Sequence, residues 1–141
     1  MSDTTETAER NLAAVREATE AFARGDMETF VDFLDPEVEI FSAPELANSG
    51  SFRGHEGYKR WLSEWLEAWE VFEIVSADFV VVGERHVLVP VRQRGRGRDS
   101  GIEVEMTACY MAEIEDGRAK RFHLYMTAEQ AREAAEAAEA G

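Results

Sequence analysis

The side chains best suited to chemistry are few and far apart. His55, His86 and His123 are the three imidazoles, the group whose usual pKa of about 6.5 suits proton transfer at neutral pH. Their wide separation gives no zinc-ligand spacing, so no metal site is expected. His55 stands at a predicted helix start, where a capping or solvent role is the ordinary one, and His86 beside a predicted turn. His123 is the most attractive acid/base group by type. Glu39, Glu103 and Glu105 are carboxylates on strand-like segments; Glu39 is the general-base candidate if its strand turns that side chain inward. Tyr110 is a usable donor but, with a usual pKa of about 10, a poor base. Cys109 is the single cysteine, and no base beside it in the sequence activates the thiol. Arg92, Arg94, Arg96 and Arg98 alternate with other residues in the pattern of a nucleic-acid tract, and equally in that of a mobile solvated hairpin tip.

Composition narrows these readings. The chain has 141 residues, 29 acidic and 15 basic side chains, and a net charge of −14. Nucleic-acid backbones and anionic membranes would both repel it, so neither is an expected partner. Hydrophobic residues make up 45% and aromatics 10%, enough for the core of one ordinary globular domain and too much for a disordered chain. No apolar run reaches the roughly 18–20 residues of a membrane span. The start Met1-Ser2-Asp3-Thr4-Thr5-Glu6 is acidic and polar, unlike a secretory leader. A lone cysteine gives no internal disulfide, and a cytoplasmic setting is the expectation.

The elements that must position these groups follow from the hydrophobic period. Residues 8–24 place Leu12, Val15, Thr19 and Phe22 on one helical face, and Gly25 stops that helix. Asp26 caps a short helix over 27–34, which Asp35-Pro36 ends. Residues 38–42 read as a strand and 43–54 as a loop. Tyr58, Trp61, Leu62, Trp65, Leu66 and Trp69 recur with helical spacing and give the strongest helix, 55–70. Strands follow near 71–82, 86–94, 102–114 and 118–126. Turns are expected at Gly83-Glu84-Arg85, over 94–101, and at Asp116-Gly117, a hairpin signal because glycine readily takes positive φ. Thr127-Ala128-Glu129-Gln130 opens a tail helix over 128–140, which can dock loosely, fray or cover a partner subunit. Three helices, a mostly antiparallel sheet and a tail helix make the α+β class, with helices on one face of a curved sheet. The organisation expected is a flexible stretch 1–7, one domain over 8–127 and the tail over 128–141.

Four stretches carry a resemblance: FARGDMETFVDFLDPEVEI, FRGHEGYKRWL, VPVR and IEDGRAKRFHLY. In that order and spacing they resemble the nuclear transport factor 2-like superfamily, and within it the SnoaL-like and ketosteroid-isomerase-like branch, over residues 8–138. The resemblance implies a cone (a cystatin-like roll) in which helices lean on the concave face of the sheet around an apolar pocket. It also implies a convex face that often forms a homodimer. The fold by itself assigns no activity.

Matching the family's strands fixes which residues face inward, because side chains alternate along a strand. The ligand pocket this implies is lined by Phe22, Ile40, Trp61, Trp65, Val91, Gln93, Ala108, Tyr110, Phe122, Leu124 and Met126, with Val89 and Met106 on the same face. His123, Arg121, Tyr125 and Cys109 fall on the convex side, as do Glu39, Glu103 and Glu105. Steroid isomerases of this fold use a carboxylate base on the first strand, with a tyrosine and a protonated aspartate at the enolate oxygen. Those positions are matched here by Ile40, Ala18 and Tyr110, so that mechanism is not available. The SnoaL-type polyketide cyclases use an aspartate on the last strand as acid/base. That position is Leu124, and the family's histidine position is Phe122, so the proton-transfer group is missing there too. What remains is an apolar pocket with two polar tips, Gln93 and Tyr110, suited to a small hydrophobic molecule held by burial and one or two hydrogen bonds. The reading is a homodimeric binder of such a molecule, without cofactor or metal. Its rivals are an isomerase, cyclase or hydrolase on a small organic substrate, and a non-catalytic dimeric interaction module packed shut by Trp61, Trp65 and Phe122. The tryptophan stripe fits plain core as well as a ligand platform, and Tyr110 fits a satisfied core hydroxyl as well as a pocket donor.

Overall fold

The computed structural model describes residues 2–42 and 50–140. Helix α1 runs Ser2–Ala23 and α2 runs Met27–Phe33. The first turns of α1 are polar, so the apolar period that marks the helix from residue 8 does not reveal its start. Gly25, at φ +81, turns the chain between the two helices. The Asp26 carboxylate then accepts the Thr29 N–H and hydroxyl and caps α2.

Strand β1, Leu34–Ser42, starts directly at the end of α2 and carries Pro36 inside it. The stretch expected as a loop contains a second strand, β2, Gly50–Arg53, paired antiparallel to β1; the 43–49 part of that loop lies outside the described residues. Helix α3 spans Gly54–Glu67. It stops two residues short of the end of its apolar stripe, because Trp69 already belongs to β3, Trp69–Ala77. The single strand predicted over 71–82 is two, β3 and β4, Val80–Val82. The chain turns at Asp78, whose N–H bonds the Pro90 carbonyl. Strands β5, His86–Gly97, β6, Glu103–Glu115, and β7, Arg118–Tyr125, complete the sheet, and α4, Ala128–Ala140, ends the chain. Asp116 and Gly117 both take positive φ, 54 and 79, in the tight turn between β6 and β7.

The strand order is β2-β1-β7-β6-β5-β3, with β4 also on β5. β1 runs parallel to β7, placing Ile40 beside Phe122; the other pairs are antiparallel. Register therefore aligns Ile40, Phe122, Ala112 and Val87 in one row across the helix-facing side, with Leu124, Tyr110 and Val89 in the next. Val15 and Ala18 of α1, Phe30 of α2, and Tyr58 and Trp61 of α3 bury themselves against these rows. Burial of this apolar area is the main source of stability.

The opposite side is closed in part by the chain's own tail. Ala131 and Ala135 of α4 are fully buried against Leu88, Cys109 and Met111. The thiol is thus packed away, and burial pushes it up to about 11, which leaves it protonated and unreactive at neutral pH. The glycine-arginine tract is not a loop, because β5 continues to Gly97. Its arginines stand opposite carboxylates: Arg92 Nε to Glu105 at 2.9 Å, Arg94 to Glu73 at 3.1 Å, Arg96 to Glu103 at 3.4 Å. Gly95 is required by a close approach, since a Cβ there would lie 2.5 Å from the Trp69 ring. Among the described residues no helix is long and apolar enough to cross a membrane.

Candidate ligand site

A cavity of about 50 Å³ remains between the helices and the inner face of the sheet. Val15, Ala18, Thr19 and Phe22 of α1 and Phe30 and Phe33 of α2 bound it on one side; Tyr58, Trp61, Leu62 and Trp65 of α3 bound it on another. The sheet contributes Phe72, Ile74, Val89, Val91, Tyr110, Ala112 and Phe122. The free space takes only a few water molecules and is far below the roughly 300–1,000 Å³ of a drug-sized site.

Of the residues expected to line a pocket, Phe22, Trp61, Trp65, Val91, Tyr110 and Phe122 do so. Ile40 and Leu124 do not: they are 1% and 5% exposed, in solid core. Alternation gives the face of a strand but not the depth along it, and α3 packs directly on β1 there. Gln93 lies behind Tyr110 as its hydrogen-bond partner, and Ala108 is half-buried against the core beside it. Met126 falls past the end of β7 and is half-buried beside a separate surface hollow with Pro90, Thr107 and Ala108. Tyr58 and Phe30, which the pocket list lacks, are central to the wall. Tyr58 shares the stripe with Trp61 and Trp65, so its spacing on α3 is the signal that marks it.

Aromatic rings form most of the lining. Tyr110 stacks on Phe122 at 5.2 Å, and Phe122 meets the edges of Phe30 and Trp61 at 6.3 and 6.4 Å. The polar side-chain groups of the lining are three hydroxyls and the indole N–H groups of Trp61 and Trp65. Thr19 donates back to the Val15 carbonyl at 2.8 Å and is spent within its helix. Tyr110 is surrounded by protein yet keeps some accessible surface, as a wall of the cavity does. Its oxygen accepts from Gln93 Nε2 at 2.8 Å, which leaves the phenolic hydrogen available to a further acceptor. Burial pushes Tyr110 up to about 12, against the lowering effect of the Gln93 bond. Burial, reinforced by the neighbouring Tyr110, also raises Tyr58 well above its usual value. The Tyr58 hydroxyl has no hydrogen-bond partner among the described residues. Two neutral phenols can donate to a carbonyl or other acceptor and cannot take a proton at neutral pH. The described lining holds no carboxylate, imidazole or amine.

The histidines lie elsewhere. His55 Nε2 bonds the Leu34 carbonyl at 2.8 Å and ties the start of α3 to β1. His123 is on the outer face, stacked on Phe41 at 4.6 Å, and burial lowers its pKa. His86, expected beside a turn, has no exposed side-chain surface: Nδ1 is 2.5 Å from Glu139 of α4 and Nε2 3.4 Å from Glu113. The opposition of His86 and Glu113 is a register fact, whereas Glu139 arrives from a distant helix that no local pattern reveals. Glu39 also faces outward, 3.4 Å from Arg121. Among the described residues no three metal-ligating side chains converge.

A curved sheet wrapped on helices around an apolar hollow defines an α+β cone of the nuclear transport factor 2-like type. Residues 15–122 match the SnoaL-like domain family, and the chain belongs to that family. No curated protein matches it. Solved structures similar to it include a nuclear transport factor 2-like protein of unknown function from Burkholderia pseudomallei, with a TM-score of 0.75 and 21% identity over 86% of this chain and 93% of that one. TerC, crystallised with polyporic acid, has a TM-score of 0.73 and 19% identity over 90% and 98%. A candidate polyketide cyclase from Xanthomonas campestris has a TM-score of 0.73 and 16% identity over 88% and 95%. At these identities the likeness is one of fold.

Proposed function

We propose that the protein binds a small hydrophobic molecule in the cone, with the Tyr110 hydroxyl donating to an acceptor on it. The observation that carries this reading is the Gln93–Tyr110 pair: a buried amide supplies hydrogen to the phenolic oxygen, so the phenol presents its own hydrogen to an otherwise apolar cavity. Binding requires the rings around the hollow to move apart, because the free space is only about 50 Å³. That tightness favours a second reading, in which the cone is packed shut and the protein is an interaction module. Titration with apolar carbonyl compounds, and with the polyporic acid found in TerC, separates the two. A binder shows quenching of Trp61 and Trp65 and a ligand-dependent rise in Tm; a packed module shows neither. A catalytic role on this lining is confined to polarising a carbonyl. The protein is also proposed to form a homodimer through the part of the outer sheet face that α4 leaves open, where Phe41, His123 and Tyr125 form a ring stack and Val71 and Val75 are exposed.

A further inference from the structure

A groove on the outer surface, with about 520 Å³ of free space, runs between α2 and α3. Its apolar walls are Met27 and Val31 of α2 and Leu62 and Leu66 of α3, and Lys59, Ser63, Glu67 and Arg98 form its polar rim. Tyr58 and Leu62 belong both to this groove and to the wall of the inner cavity. The two spaces are thus separated by two side chains. Tyr58 is 1% exposed and held between the Phe30 and Trp61 rings at 5.2 and 5.8 Å. Leu62 is only half-buried, at the edge of the core cluster. The inner cavity alone is too small for an organic molecule of ordinary size, whereas the groove adds about 520 Å³ of largely apolar space on the other side of Tyr58 and Leu62.

Resting on the ligand-binding reading above, we propose that the α2–α3 groove is the outer half of the site and that Leu62 is the movable partition. The molecule bound is then elongated and apolar, with its hydrogen-bond acceptor at the inner end by Tyr110 and its tail lying over Leu62 and Leu66.

A series of straight-chain 2-ketones, from butanone to dodecan-2-one, tests this by calorimetry and tryptophan quenching. In the wild type, affinity should keep rising by about fourfold per added methylene after the inner cavity is full, as the tail enters the groove. Leu62→Trp, which enlarges the partition between the two spaces, should weaken the long ketones by about tenfold or more relative to the short ones. Leu66→Lys, at a position 40% exposed, should weaken the longest ketones alone and serves if Leu62→Trp perturbs folding. Affinity that stops rising at short chain lengths, or long-chain binding untouched by both variants, overturns the proposal while leaving the cavity reading intact. If even the short ketones fail to bind the wild type, both readings fall.

Discussion

Removing the Glu139 carboxylate tests whether one side chain holds α4 to the sheet. Glu139 Oε2 lies 2.5 Å from His86 Nδ1 and accepts the Arg85 N–H at 2.9 Å, and Oε1 accepts the Glu84 N–H at 3.3 Å. In Glu139→Ala the two backbone groups, which lie at the surface, regain water. The wholly buried imidazole loses its shortest contact, and Nε2 remains 3.4 Å from Glu113. An unsatisfied buried polar group costs about 1–3 kcal/mol, and loss of a bond to a charged partner places this case at about 2–3 kcal/mol. For a chain of this length Tm should therefore fall by about 6–12 °C. Hydrogen exchange over 128–140 should speed up, because α4 otherwise rests on its alanine contacts and on the bond that the Arg85 guanidinium donates to the Ala138 carbonyl at 2.9 Å. The carboxylate also leaves a pH signature. Burial by itself would raise Glu139, but the His86 bond and the Arg85 and Glu84 N–H groups outweigh it and hold it below the usual 4.5. A folded-state pKa below the unfolded one contributes stability that is fully present above about 4.5 and is lost as pH falls through the folded value. The wild-type Tm should thus approach that of Glu139→Ala in acid. A variant within about 1 °C of the wild type at neutral pH, with exchange in α4 unchanged, would refute the reasoning.

Other outcomes follow from the same contacts. Tyr110→Phe removes the acceptor of the Gln93 amide, which is 2% exposed, and should cost about 1–3 kcal/mol by urea unfolding; adding Gln93→Leu should recover most of it. Gly95→Ala places a methyl 2.5 Å from Trp69 Cε3, so the indole must shift, with a loss of about 1–3 kcal/mol and altered tryptophan emission. Sedimentation should find a dimer in the wild type and a monomer in Phe41→Arg, which puts a cation in the outer ring stack; a monomeric wild type refutes the proposed dimer.

Much of the fold was legible because it rests on local periods and turn chemistry. The α3 stripe, the Asp26 cap and the Asp116-Gly117 turn are each written in a few adjacent residues. Alternation also assigned the two faces of the sheet, so Glu39 and His123 fall outward as expected. Depth and partnership were not legible. Ile40 and Val91 both face the helices, yet only Val91 reaches the hollow, because how closely α3 approaches each strand is a tertiary matter. The parallel pairing of β1 with β7 joins residues some eighty positions apart, and the pairing that makes an apparent arginine-rich loop the end of strand β5 depends on register across three strands.

The position matched by resemblance to the catalytic carboxylate of the steroid isomerases lies where this chain could not hold a charged base. Ile40 is 1% exposed, with Phe52 and Phe122 as its neighbours across the adjoining strands. An aspartate there would have no water and no cation on the helix-facing side of those strands. Its charged form would suffer the full desolvation penalty, so the carboxyl would stay protonated or the chain would unfold locally. Ile40→Asp is accordingly expected to cost about 3 kcal/mol or more at neutral pH. It should regain part of that loss as pH falls, since a raised folded-state pKa favours the folded chain in acid. It should also give no proton-transfer activity toward a ketone held at Tyr110. A stable Ile40→Asp variant that exchanges the α-protons of such a ketone would mean that the hollow reaches β1.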